Sequence, residues 1–322
     1  MRIQQSRKRI ERLEHASYGG AMSTETSTPQ RIAVGDVEII RVVEWQGPFA
    51  PAADLVPQSA PQMWQDGGTL LAPDHYEPAR GLAVMALQTW VVRSAGLTVL
   101  VDTGIGNGRE RPESPDFHQR QSDLLGDLAR AGIRPQDVDV VVNTHFHADH
   151  VGGNTTGQAE EWVPAFPNAR YLLPAADDHH FGPGGGYGGG RSPDDRLMYE
   201  DSIAPVHRAG QARLWDGTLR IDAHLTLESA PGHTPGSGVL QVASRGERAV
   251  FTGDLLHNPV QILHPSCNSC FCMDPVQAAA SRRRILERAA DEGELVIPAH
   301  FAGPGAVRVH RRGGAFGFDP AV

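Results

Sequence analysis

The chain has 322 residues, 40% of them hydrophobic and 21% charged, which is ample for a large buried core. Its formal net charge of -9, without basic blocks, argues against nucleic acid as a main partner. Mean hydropathy is -0.33, and no apolar run reaches the roughly 18 residues that a membrane helix needs. The three cysteines, Cys267, Cys270 and Cys272, cluster in one short stretch, which excludes a secreted disulfide framework.

Taken in chain order, residues 1–30 are polar, end in a Ser/Thr/Pro run and are expected to be a disordered extension, with a short helix over Arg7–His15 as the alternative. They carry basic residues but no apolar secretory core, so a cytoplasmic protein is expected, with Met22 as a candidate natural start. Val37–Glu44 is β-branched and predicts a strand. Residues 47–80, rich in Pro, Ala and Gln, predict a long irregular segment. Leu82–Val92 and Leu97–Asp102 predict a hairpin turning through "RSAG", followed by the glycine-rich "DTGIGNG". "SDLLGDLARAGI" predicts a helix with Ser122 or Asp123 as N-cap and Gly132 as its stop. "DVDVVVNT" predicts a short buried strand, "ARYLLP" another, and "DDRLMYEDSIAP" a helix ended by Pro205. Three strand-and-loop units follow, in "LTLESAPGHTPG", "GVLQVAS" and "RAVFTGD". Asp274 as cap, Pro275 in the first turn and Gly293 as stop predict the clearest helix, and "LVIPAH" predicts a last buried strand. Strands with interspersed helices imply an α/β sandwich.

Polar residues recur at the strand ends. "THFHADH" (Thr144–His150) packs three histidines and an aspartate into six residues. In an extended stretch His145 and His147 point the same way, whereas Asp149 and His150 fall in the turn beyond and can aim elsewhere. Histidine nitrogens and carboxylates are suitable ligands for zinc and similar cations, so one segment can serve two adjacent ions. The bland alternative is a capping turn. His233 in "APGHTPG", Asp254 in "FTGD" and His300 in "IPAHF" each admit a bland reading alone. Together with the first cluster they supply five histidines and two aspartates.

In these segments, and in "VLVDTGIGN" ahead of them, the sequence resembles the metallo-β-lactamase superfamily over roughly Ile32 to Phe318. The resemblance implies an αβ/βα four-layer sandwich of two mixed sheets flanked by helices, as a single hydrolase domain over 31–322. It implies that His145, His147 and His233 bind one divalent ion, that Asp149, His150 and His300 bind a second, and that Asp254 bridges them, zinc being the default metal. A bridging hydroxide would then attack a small-molecule ester, lactone or organophosphate-like substrate, oriented by Asp149. The alternatives are a glyoxalase II-like thioesterase, a β-lactamase-type amide hydrolase, and a metal-binding scaffold without turnover. The oligomeric state is left open, a homodimer being one option; nucleic-acid and membrane partners are not expected, nor is an organic cofactor. Asp102 would fix loop or ligand geometry from behind the site, or serve only as a strand-end turn.

The segment after Asp254 resembles the methyl parathion hydrolase-like branch, with His257 three residues on and Gln261 following. His257 would support the metal shell or donate to the substrate oxygen. Ser237 stands where many relatives have a histidine, so a contact behind the ligands is expected to be lost. Cys267, Cys270 and Cys272 with His264 could supply a separate tetrahedral zinc set, the alternatives being free thiols or a redox-sensitive loop near the site. The glycine-rich stretch Gly182–Gly190 is expected to be a disordered surface insertion, or else a flap using Phe181 or Tyr187, with His179 and His180 solvated.

Overall fold

The β-branched and aromatic runs become the strands of two mixed sheets. The computed structural model describes residues 29–157, 161–190 and 192–321. The Arg7–His15 helix and Met22 lie outside the described residues. The chain runs through β1 (Arg31–Val34), β2 (Val37–Pro51), β3 (Tyr76–Glu77), β4 (Leu82–Ser94), β5 (Leu97–Val101) and β6 (Val140–Val142). A small two-stranded pair, β7 (Thr155–Thr156) and β8 (Val163–Pro164), precedes β9 (Arg170–Pro174) and β10 (Ala212–Trp215). The first sheet has the order β1-β2-β4-β5-β6-β9-β10, with β3 beside β4. The second runs in sequence order through β11 (Thr218–Arg220), β12 (Leu225–Ser229), β13 (Gly238–Ser244), β14 (Glu247–Gly253), β15 (Leu295–Pro298), β16 (Val307–Arg312) and β17 (Ala315–Pro320).

Alternation along the strands divides the interior into three apolar layers. Between the sheets, Trp90, Val92, Val99 and Val142 meet Leu227, Leu240, Phe251 and Ile297. Outside the first sheet, Val91, Leu100 and Val141 pack on Leu124 and Leu128 of the helix Leu124–Arg130. Outside the second, Val250 and Val296 pack on Ile285, Leu286 and Ala289 of the helix Pro275–Glu292. Each large apolar side chain buried in this way stabilises the fold by roughly 1.5–3 kcal/mol. The result is the four-layer order helix, sheet, sheet, helix. No helix among the described residues is long and apolar enough to cross a membrane.

Strand direction collects the polar strand ends at one edge. β5 and β6 are parallel, as are β14 and β15, so the residues following each pair emerge together. β12 is antiparallel to β13, and β13 to β14, which returns the end of β12 to that same edge. Two glycines let the loops close on one another. A Cβ on Gly152 would lie 1.7 Å from the Ile105 carbonyl oxygen, and Gly253, at φ +50, would drive one into Thr144.

Several local expectations are corrected. The strand at Val37 runs on to Pro51 as the partner of the equally long β4. Residues 47–80 are structured: beyond β2 they form helices at Ala52–Leu55 and Pro61–Gly67, where buried Trp64 donates to the Ser59 hydroxyl at 2.8 Å. Asp123 is the N-cap residue of its helix, as expected, but its carboxylate takes Arg130 at 3.1 Å and makes no side-chain cap. Pro205 opens a helix, Ala204–Arg208, rather than ending one, since the π turn Tyr199–Ile203 leaves it in the first turn, where its missing N–H costs no bond. The hairpin β16–β17 was not foreseen in the sequence. In the glycine-rich stretch Gly186, Tyr187, Gly188, Gly189 and Gly190 all have left-handed φ, a path that the four glycines follow without strain and Tyr187 does not. His179 is exposed, but His180 is half-buried edge-on against Phe181, contrary to the solvated expectation.

Candidate metal centre

The strand-end residues predicted from sequence converge into one buried cluster. Around one point stand His145 Nε2, His147 Nδ1, His233 Nε2 and Asp254 Oδ2. His147 Nδ1 is 3.1 Å from His145 Nε2 and 2.9 Å from His233 Nε2. Asp254 Oδ2 is 3.6 Å and 3.2 Å from the same two nitrogens. Around a second point stand Asp149 Oδ2, His150 Nε2, His300 Nε2 and Asp254 Oδ1. Asp254 Oδ1 is 3.3 Å from His150 and 3.0 Å from His300, and Asp149 Oδ2 is 3.7 Å and 3.5 Å from them. Atoms about 2.1 Å from one tetrahedral ion stand about 3.4 Å apart, the scale of both sets. His150 Nε2 and Asp254 Oδ1 are buried without a hydrogen-bond partner, as atoms reserved for a cation would be. The donor set therefore fits divalent ions of the zinc type.

Electrostatics separate the two sets. Burial holds His145 well below the ordinary histidine range, His147 at about 3 and His233 at about 4, so their rings are neutral and present lone pairs. Burial also opposes charge on His150 and His300, but Asp254 and Asp149 outweigh it and raise both. Burial alone would raise Asp254; His300, His150, His257 and His145 hold it well below the carboxylate range instead. The carboxylates on the Asp149 side therefore favour positive charge there, as a cation site requires.

The outer ring nitrogens are held in turn. Asp102, left-handed at φ 57 just beyond β5, accepts from the Thr144 amide, the Thr144 hydroxyl and His150 Nδ1, each at 2.8 Å. Thr144 Oγ1 lies 3.1 Å from His145 Nδ1. His300 Nδ1 faces the Ala86 carbonyl at 3.0 Å, so β4 of the first sheet steadies a ligand from the second. These contacts fix which nitrogen of each ring points inward.

His257 is buried with Nε2 3.1 Å from Asp254 Oδ2, and its backbone N–H donates to Gln261 Oε1 at 2.8 Å. With Asp254 and His300 it forms a third group close enough to hold an ion. Its ring stacks between His300 and Phe271. Phe181 lies edge-on to His147. Asp149 and His147 are the partly exposed members, so the cluster opens on their side.

Asp177 was missed in the sequence. Wholly buried, it accepts from the Phe146 amide at 2.8 Å, the Thr234 hydroxyl at 2.8 Å and the Gly236 amide at 2.6 Å. Burial pushes its carboxyl up to about 6 against these three donors. It ties the His145–His150 loop to the His233 loop. It sits just past the end of β9, so the rule that singled out Asp102 and Asp254 at strand ends would have found it. Ser237 does not leave its turn unsupported: its hydroxyl accepts from the Thr234 amide at 2.9 Å. His264 and the three cysteines do not gather into a metal-holding group among the described residues.

A family model described as Metallo-beta-lactamase superfamily matches residues 86–300. The human metallo-beta-lactamase domain-containing protein 1 is 28% identical over 233 residues, 71% of this chain and 66% of its own length. A hydroxyacylglutathione hydrolase from Anaeromyxobacter dehalogenans (strain 2CP-C) is 29% identical over 218 residues, 67% of this chain and 62% of its own. The match thus spans a little under two thirds of these relatives' length. Among solved structures, hydrolase AbOPH superposes with a TM-score of 0.73 at 21% identity, covering 92% of this chain and 99% of that one. The dizinc quorum-quenching lactonase AidC, in complex with N-hexnoyl-L-homoserine, gives a TM-score of 0.72 at 20% identity, covering 92% and 98%.

Proposed function

The chain belongs to the metallo-beta-lactamase superfamily, and from that premise we propose that it is a metal-dependent hydrolase in which residues 31–322 act as a dinuclear enzyme on small neutral esters, lactones or organophosphate-like triesters. The observation that carries the reading is Asp254, which turns one carboxylate oxygen to each ligand set. His145, His147 and His233 would hold one ion and Asp149, His150 and His300 the other, with zinc as the default. Such ions, when bound, acidify a water and polarise the bond to be cleaved.

The side chains divide the remaining tasks. Asp149, at the open side, would accept a hydrogen bond from the attacking water through its second carboxylate oxygen and orient it. His257 would hold the Asp254 carboxylate in place through Nε2, itself fixed by Gln261. That pairing supports the methyl parathion hydrolase-like branch. Phe271 and Phe181, packed on His257 and His147, supply apolar walls. Buried Arg109, Arg111 and Arg282 are engaged by backbone carbonyls, Asp201 and Asn268. A neutral substrate with an apolar acyl or aryl part suits this chemistry better than an anionic one.

A second reading, a glutathione thioesterase, is favoured by the likeness to the hydroxyacylglutathione hydrolase. Turnover of a phenyl ester, a lactone, a phosphotriester and a glutathione thioester by zinc- and manganese-loaded protein distinguishes them. Neutral substrates are expected to be cleaved fastest. Preference for the thioester would overturn the first reading, and unchanged rates after chelation would overturn both.

A further inference from the structure

The "CNSCFC" motif, unabsorbed by the site so far, lies against one of its ligands. His145, His150 and His300 each turn one ring nitrogen inward and give the other to a hydroxyl, a carboxylate and a carbonyl respectively. The fourth ring of this kind, His233, is fully buried and turns Nε2 inward. Its Nδ1 faces Cys272 Sγ at 3.9 Å, and that sulfur lies 3.5 Å from the buried Ser269 hydroxyl. Backbone bonds clamp the two segments together: the Met273 amide donates to the His233 carbonyl at 3.0 Å, and the Asp274 amide to the Gly232 carbonyl at 2.9 Å. The thiol therefore reaches His233 from a docked segment.

We propose that Cys272 is a positioning residue for His233, its sulfur accepting the Nδ1–H and so reserving Nε2 for the ion shared with His145 and His147. The inference rests on the dinuclear reading above. The protons balance along a short chain: His233 Nδ1–H donates to Cys272 Sγ, whose S–H donates to Ser269 Oγ. No bond to carbon or sulfur is made or broken. The other three outer partners are oxygen acceptors at 2.8 to 3.1 Å, so this one is the weakest. The ion on this side is accordingly the more easily removed, and its affinity depends on residue 272.

The test uses the full chain, Zn2+ competition titrations and the visible spectrum of Co2+-loaded protein. Cys272→Ala is expected to weaken one of two ions about tenfold and to change the cobalt bands, with the second ion unaffected. Cys272→Ser, which restores a polar acceptor, should recover part of that loss, whereas Cys272→Val, which fills the space without an acceptor, should not; a purely packing role would let valine restore affinity. Far-UV circular dichroism identifies unfolded variants, and the serine variant serves if the alanine one does not fold. Wild-type affinity and an unchanged cobalt spectrum in Cys272→Ala, or in Cys272→Ser should only that variant fold, would overturn the inference. A wild-type protein that binds fewer than two ions would overturn the dinuclear reading instead.

Discussion

His150 and His300 lie against the Asp149 and Asp254 carboxylates, with Asp102 behind His150, whereas His145 and His233 meet only Asp254. Rings of one cluster consequently behave in opposite ways, with His150 and His300 drawn toward positive charge and the other three held below the ordinary histidine range. The difference shows that burial alone does not set the character of a metal-type site. The carboxylates packed behind the ligands decide how strongly each half attracts a cation.

The harshest way to break the comparison is to remove the residue both halves share. Asp254→Asn should lower metal content on both sides and cut turnover by more than ~100-fold, beyond the loss of an outer partner; elemental analysis with steady-state rates checks this. Asp102→Ala should act mainly on one half, weakening the ion at His150 by about 10–100-fold and the other less, through the loosened Thr144 hydroxyl that faces His145. Chelator titration monitored by bound cobalt would show one step shifted strongly and the other only slightly. Asp177→Ala strips an acceptor from three donors on the opposite half, and about 2 kcal/mol of stability should go with it, read from urea unfolding. A loss of the His150 ion in that variant would contradict the division.

His75 supplies the control, a buried histidine with no carboxylate against its ring. Burial, with Arg41 nearby, lowers it from 6.5 to about 4. The neutral ring contributes stability that is fully present above pH 6.5 and lost as pH falls toward 4, because the unfolded chain takes up the proton first. His75→Phe should keep the contact with Phe301 and flatten the stability profile between pH 4 and 6.5. An unaltered slope would mean that His75 does not drive it.

Much of the fold was legible because its signals are local. Alternating apolar residues marked most strands, and Asp274, Pro275 and Gly293 marked the helix that the structure caps through the Val276 and Gln277 amides. The residues of 47–80 escaped because no periodicity distinguishes short helices that owe their stability to burial of Trp64 and Leu55 against the second sheet. Pro205 misled because a proline reads as a stop unless the preceding turn is known.

The sequence by itself determined the ligand types, their positions at strand ends and the resemblance they carry, since residue identity and spacing along one chain are one-dimensional facts. Only the tertiary structure decided that β14 and β15 run parallel, bringing Asp254 between two sets of histidines that come from three separate stretches of the chain. It alone placed Asp102 behind His150, Asp177 beneath both loops and Cys272 on His233. Those contacts join loops that follow different strands, and their distances depend on how strands far apart in the chain are set side by side, which no local pattern encodes.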